Sequence, residues 1–198
     1  MILLISGKMR SGKDTVADYL CGMHGFIKIS HADALKQDCY NLIGRPDGNL
    51  TIAETRRFFD VPETKKKYRG LLIGVGQLMR DINPDWWVNQ TFASIESELI
   101  QSDEVNIVVP DCRFENEINY IQSGCKGLLF HHEDASVVTL RMESDHRYSR
   151  GAMAEFDEDI SETGLDDYLN WDYTIQNSGT KGELFDSVEA MISDIHAV

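Results

Sequence analysis

Apolar positions along the chain fall into short continuous runs separated by longer stretches of helical period. Residues 2–5 form an unbroken aliphatic run, as expected of a strand buried on both faces. Residues 14–20 then read as helix. Further strands are predicted at 26–30, 105–111, 127–132 and 171–176, the second and third strands each being followed by helical patterning. After the last strand, Asn177-Ser178-Gly179-Thr180 is a turn and N-cap cluster that opens a closing amphipathic helix over 181–195. Alternation of this kind predicts an α/β fold with a parallel sheet covered on both faces.

Two stretches exceed what such connections need. Residues 31–102 are mostly helical in pattern, broken at Gly44-Arg45-Pro46-Asp47-Gly48, at Pro62 and at Pro84, and are too long for a single crossover. They read as a helical insertion over the carboxyl edge of the strands, where open α/β sheets take their ligands. Residues 147–168 mix Gly151 and Gly164 with many charges and read as a flap. No repeat or low-complexity segment is present.

The first strand runs straight into a loop with special spacing. Gly7, Gly12 and Lys13 keep the G-x-x-x-x-G-K pattern between strand and helix, the context that separates a P-loop from a chance match. Successive backbone N–H groups and the positive helix end converge there on anionic oxygens, and Lys13 adds a mobile charge. A nucleoside triphosphate is the expected ligand. Asp14 stands where Ser or Thr usually meets magnesium, and Thr15 comes one residue late. Asp14 either holds the metal, directly or through water, or only complements the helix N-terminus; the residues leave both readings open.

At 198 residues the chain suits one α/β domain with an insertion. Its 33 acidic and 19 basic side chains give a formal charge of −14, which repels polyanions and disfavours stable nucleic-acid binding. Small anions can still be captured by a local cluster of arginines and backbone N–H groups. The four cysteines, Cys21, Cys39, Cys112 and Cys125, follow no disulfide or zinc spacing and are expected as reduced, buried thiols. No signal segment or run of about 18 apolar residues occurs, so a cytoplasmic protein without membrane contact is expected.

Asp111 closes an apolar strand and is followed by Arg113, so a carboxylate and a guanidinium emerge together at a strand's carboxyl end. In P-loop enzymes such an acid serves magnesium or the acceptor; a helix-start acid paired with Arg113 for structure is the alternative. Arginines gather in the predicted flap regions: Arg56, Arg57, Arg69 and Arg80 in the first, Arg141, Arg147 and Arg150 around the second. Phosphoryl groups suit that bidentate chemistry. Arg10 lies inside the loop itself. Lys65-Lys66-Lys67 and the acidic run 155–159 read as solvated faces. Residues 131–134, His-His-Glu-Asp, could suggest a metal site, but neighbours at a strand end are expected to point in opposite directions, which disfavours it. Trp86 and Trp87 supply either core or a stacking face for a base.

Taken together, SGKMRSGKDT at 6–15, HADALK at 31–36, VPDCRFENE at 109–117 and SETGLDDYLNWDYTIQNSGTKGEL at 161–184 resemble the bacteriophage deoxynucleoside monophosphate kinases. That family belongs to a wider nucleoside monophosphate kinase group that also resembles dephospho-CoA kinase and phosphomevalonate kinase. The resemblance implies a three-layer P-loop fold with a five-stranded parallel sheet, a helical NMP-binding insertion at about 31–102 and a lid at about 141–168. The core would then be 1–30, 103–140 and 169–198. GKDT is the family's own ending of the motif. The resemblance further implies ATP and Mg2+, with Gly7, Lys8, Ser11, Gly12, Lys13, Asp14 and Thr15 around the donor phosphates, Arg10 alongside, and Asn177 at the donor adenine. Lys36, Arg80, Trp87, Asp111 and Arg113 would serve the acceptor, and Arg141 and Arg147 would be lid arginines. It implies γ-phosphoryl transfer to a deoxynucleoside monophosphate by a monomer or homodimer. Another phosphorylated small acceptor, modified bases within DNA, or an ATP-driven switch are the alternatives.

Overall fold

The computed structural model describes residues 1–102, 104–128, 136–146 and 160–197. They divide into two compact units, one formed by Met1–Lys28 with Glu98–Val198 and the other by Ile29–Ser97.

The first unit is built on five parallel strands, β1 (Ile2–Gly7), β2 (Ile27–Lys28), β3 (Ile107–Cys112), β4 (Val137–Glu143) and β5 (Tyr173–Gln176), in the order β2-β3-β1-β4-β5. Central β1 explains its own composition: Ile2, Leu3, Leu4 and Ile5 are wholly buried, which leaves no place for a polar alternation. Helix α1 (Lys13–His24) carries the chain from β1 across to β2, whereas α6 (Glu115–Leu128) carries it from β3 the other way to β4. Right-handed crossovers of opposite direction put these helices on opposite faces of the sheet. The closing helix α8 (Lys181–Ile195) packs beside α1, so Leu3 and Ile5 share a core with Val16, Leu20, Val188 and Met191. Its start is a capping box, in which Thr180 accepts from the Glu183 N–H and Glu183 accepts from the Thr180 N–H.

The parallel register of β1 and β3 is interrupted. Leu4 pairs with Val109, but Ser6 pairs with Cys112, one residue out of step. Pro110 stands at the slip and has no N–H for the ladder. This bulge lies directly before Asp111 emerges at the end of β3.

The second unit is helical: α2 (His31–Leu42), α3 (Ile52–Asp60), α4 (Pro62–Ile82) and most of α5 (Trp86–Gln101). The break expected at 44–48 is present, with Gly44, Arg45 and Gly48 all at positive φ. Pro62 begins α4 at its first turn, where a missing N–H costs nothing. Cys39, Tyr40 and Phe59 form the buried centre. Asp33 caps α2 and is paired with Arg56 of α3.

Two expectations are corrected. The strand predicted at 127–132 does not begin there, because α6 continues through Leu128; residues 129–132 lie outside the described residues. The fourth strand is instead β4, so the lid boundary at 141 is also wrong: residues 141–143 are paired sheet, Arg141 against Ser6 and Thr174. Of the other predicted strands, the first extends two residues beyond its aliphatic run, those at 26–30 and 171–176 are found shorter, and that at 105–111 is shifted to 107–112, while the closing helix spans the predicted residues. No described helix is long and apolar enough to cross a membrane.

Candidate functional site

The loop between β1 and α1 is held in a cradle that excludes side chains at two points. A Cβ on Gly7 would lie 2.5 Å from Ser11 Oγ and 2.6 Å from the Met142 carbonyl oxygen. Gly12, at φ 105°, caps α1 in a left-handed conformation, and a Cβ there would lie 2.3 Å from Asn177 Nδ2. Arg10 also has positive φ, at 64°, an uncommon state for a side chain with Cβ. Alternation of backbone hand in such a loop turns its N–H groups toward a common concavity.

Lys13 is the first residue of α1 and is only 8% exposed. Its Nζ donates to the Lys8 carbonyl at 3.4 Å. Burial lowers the pKa of this ammonium; Asp14, Glu162 and Asp111 oppose the shift and Arg113 adds to it. Ser11 is buried, and among the described residues its Oγ has no hydrogen-bond partner. A buried hydroxyl without a partner, a backbone cradle that a Cβ would fill and a desolvated lysine are the features that a bound phosphate chain satisfies.

Around this loop the strand ends deliver further charges. Asp111 comes from the bulged end of β3, with Arg113 just beyond it. Arg113 Nη1 donates to the Ser161 carbonyl at 3.0 Å, to Ser161 Oγ at 2.9 Å and to Glu162 Oε1 at 3.0 Å. The other oxygen of Glu162 accepts from the Met9 N–H. Asp166 bridges Lys8 Nζ at 2.7 Å and Arg141 Nη2 at 2.9 Å. A cavity of about 340 Å³ opens here, bordered by Lys8, Ser11, Arg141, Asp145, Asp166 and Gln176.

Asn177 follows β5 and is 5% exposed. Its side chain donates to the Ser11 carbonyl at 2.8 Å, and its backbone N–H donates to the Glu143 carbonyl at 2.7 Å. In this arrangement it supports the loop. Asp14 is exposed and faces Lys28 at 3.7 Å; Thr15 is half-buried in the same turn. Among the described residues no group of three or more His, Cys, Asp or Glu side chains could hold a metal ion. A magnesium ion carried by phosphates needs only one or two protein carboxylates and water, and Asp14 and Asp111 have the donor chemistry for that.

The fold thus brings Lys8, Arg10, Ser11, Lys13, Asp14, Asp111, Arg113, Arg141 and Asn177 into one unit. Lys36, Arg80 and Trp87 belong to the helical unit. Lys36 there pairs with Asp60 at 2.8 Å, and Arg80 lies in the last turn of α4. Trp87 is 3% exposed and donates its indole N–H to the Gly76 carbonyl at 3.0 Å, which makes it core rather than the stacking face. Trp86 is half-buried, and among the described residues its indole nitrogen has no hydrogen-bond partner. Arg147 and Arg150 lie outside the described residues, as do 131–134 and 155–159. The sequence did not single out Glu162 and Asp166, although both sit in the SETGLDD run; four residues apart inside the predicted flap, they read there only as part of a charged surface.

No family profile matches the chain. It is 30% identical over 132 residues to a protein of Acanthamoeba polyphaga mimivirus described as a "Putative deoxynucleotide monophosphate kinase", covering 62% of this chain and 68% of that one. It is 23% identical over 179 residues to the uncharacterized protein ORF76 of Ictalurid herpesvirus 1 (strain Auburn), covering 83% of this chain and 67% of that one. Among solved structures, a sugar kinase from Janibacter sp. HTCC2649 superposes with a TM-score of 0.51 at 14% identity, over 97% of this chain and 94% of the other. That likeness shows the P-loop α/β fold.

Proposed function

The chain belongs to the family of the mimiviral kinase, and from this membership and the loop geometry we propose that it transfers the γ-phosphoryl group of ATP to a deoxynucleoside 5′-monophosphate, giving ADP and the diphosphate. The observation that carries the reading is the link between the donor loop and the end of β3. Glu162 accepts from the Met9 N–H inside the loop and from Arg113 just past the adjacent β3, two residues after Asp111.

The chemistry asks little of a general base. An acceptor phosphate is ionised at neutral pH, so the protein must mainly align the reacting oxygens and neutralise charge. The loop N–H groups from Gly7 to Thr15 bind the donor phosphates, and Lys13 reaches the outer ones. Magnesium, when bound with the nucleotide, supplies further charge neutralisation on the phosphate oxygens, with Asp14 and Asp111 as its protein donors. Arg113 binds the acceptor phosphate. Arg10 and Arg141 stabilise the charge that spreads over the transferring group. Lys36 and Arg80 keep the acceptor role that the resemblance implies.

The test is ADP formation from ATP and Mg2+ with each deoxynucleoside monophosphate in turn, against a control without acceptor and the Lys13→Ala protein. Stimulation by one or more acceptors, lost in the variant, supports the reading. Slow turnover that ignores every acceptor overturns it.

A further inference from the structure

Glu162 is a carboxylate taken out of water, its side chain only 5% exposed. Removing such a charge from solvent costs several kcal/mol unless it is paired and hydrogen-bonded. Its partners are unusually placed. Oε2 accepts from the Met9 N–H inside the phosphate loop, and Oε1 pairs with Arg113, the residue just past β3. One carboxylate therefore spans the two segments that leave the adjacent carboxyl ends of β1 and β3.

A second feature holds the same contact from the backbone. Glu162 lies in the single helical turn α7 (Ile160–Thr163). A Cβ on the following Gly164 would lie 2.7 Å from the Arg113 carbonyl oxygen and 3.0 Å from Phe114 Cδ1. Only glycine lets this turn close flush on Arg113. Ser161 contributes its carbonyl and its hydroxyl to the same guanidinium nitrogen. Among the described residues the hydrogen bonds of Arg113's side chain leave through Nη1.

We propose that Glu162 is a positioning residue: it fixes Arg113 and the Met9 amide to one carboxylate, so that the acceptor-binding guanidinium is held in register with the donor loop. This rests on the proposed function, since the register matters only if a phosphoryl group passes between the two. A guanidinium on a long, flexible stem loses much rotamer freedom when it must meet a moving phosphate. Glu162 restricts that freedom before substrate arrives, and a displacement of about 1 Å at such a group can cost 10²-fold in rate.

The experiment compares the wild-type protein with Glu162→Ala, Arg113→Ala and the double variant, reading acceptor-dependent kcat/KM and, by calorimetry, ATP affinity. Glu162→Ala should lower kcat/KM for the acceptor by roughly 10- to 100-fold. ATP affinity should stay within about threefold of wild type or tighten, because a negative charge has left the phosphate loop. In the Arg113→Ala background the same change should cost less than about threefold, because the residue it acts through is gone. Glu162→Gln preserves size and is the substitute if Glu162→Ala fails to fold; its amide cannot accept from both Arg113 and the Met9 N–H, so it should also lose turnover.

Losses that multiply across the two sites, or a fall in ATP affinity as large as the fall in turnover, would make Glu162 a mere support of the fold and overturn the proposal. Wild-type turnover matched by Glu162→Ala also defeats this role while leaving the proposed function standing. A wild-type protein that ignores every acceptor defeats both.

Discussion

The side-chain amide of Asn177, at the far end of the chain, donates to the carbonyl oxygen of Ser11 in the phosphate loop at 2.8 Å, and the bond is buried. The same amide nitrogen stands 2.3 Å from where a Cβ on Gly12 would lie. Loop shape is thus set by a residue beyond the last strand, and the two positions are coupled. Asn177→Ala, which leaves a buried carbonyl unpaired, should cost about 1–3 kcal/mol of stability. Gly12→Ala should abolish ATP binding, since it meets both this clash and the left-handed backbone. In the double variant the clash is relieved, so urea unfolding should show a total below the sum of the single losses; strict additivity would refute the coupling.

Much of this arrangement was legible in the sequence because it is local. A buried central strand, a glycine-spaced loop and the following helix are contiguous, and their signals of run length and spacing survive without tertiary knowledge. The start of the closing helix was legible from its turn and N-cap cluster at 177–180 for the same reason. What failed was non-local. The run 127–132 drew the fourth strand away from 137–143, because a short apolar run does not reveal whether helix α6 has already used its first residues. Trp87 was legible only as an aromatic beside a turn, and its burial depends on Gly76 of another helix. Glu162 and Asp166 looked like surface charges because their partners, Arg113 and Met9, Lys8 and Arg141, lie far away along the chain. Charged residues carry no periodic mark of burial.

Lys13 should impose an alkaline limit on nucleotide binding. Burial first, and Arg113 with it, pulls its pKa below the ordinary 10.5, against Asp14, Glu162 and Asp111. The folded protein therefore releases this proton at lower pH than the unfolded chain, and gains relative stability as pH rises through the folded pKa. The ammonium proposed to meet phosphate is lost over the same window, so ATP affinity should fall there, below pH 10.5. Lys13→Ala should lose at least about 100-fold in kcat. Lys13→Arg stays charged, and its residual ATP binding, followed by fluorescence titration, should show no such alkaline loss.

Asp166 neutralises Lys8 and Arg141 together. These cations border the cavity beside the loop, so the carboxylate competes with an incoming anion. Asp166→Asn should tighten ATP binding by about threefold at low ionic strength, the scale of a partly solvated charge contact. The gain should disappear in 0.5 M salt, where the screening length falls to about 4 Å. Titration calorimetry at the two salt concentrations reads this directly; weaker binding by the variant would mean that Asp166 orders the two cations for the nucleotide.

The cysteines should divide by burial. Cys39 and Cys125 are pushed up to about 11 by burial, and Cys112 is raised well above the ordinary thiol value for the same reason. Cys21 is half-buried. Thiolate is the reactive form. At pH 8 maleimide should modify Cys21 first, and all four only after denaturation, as intact mass spectrometry would record. Rapid labelling of Cys112 in the folded protein would contradict the closed packing behind Asp111.

Arg10 offers a separation of stability from function. It is exposed, and its backbone is left-handed at φ 64°, a conformation that costs a residue with Cβ roughly 1–2 kcal/mol. Glycine relieves that strain but costs about 0.5–1 kcal/mol through the freedom of the unfolded chain. Arg10→Gly should therefore leave the stability unchanged or raise it by up to about 1.5 kcal/mol in urea unfolding. The guanidinium proposed to lie alongside the phosphates is lost at the same time, so kcat should fall by roughly 10-fold or more if Arg10 meets transition-state charge. Stability held with turnover lost would place the cost of this strained backbone at the reaction. Full turnover in the variant would assign Arg10 to the solvent.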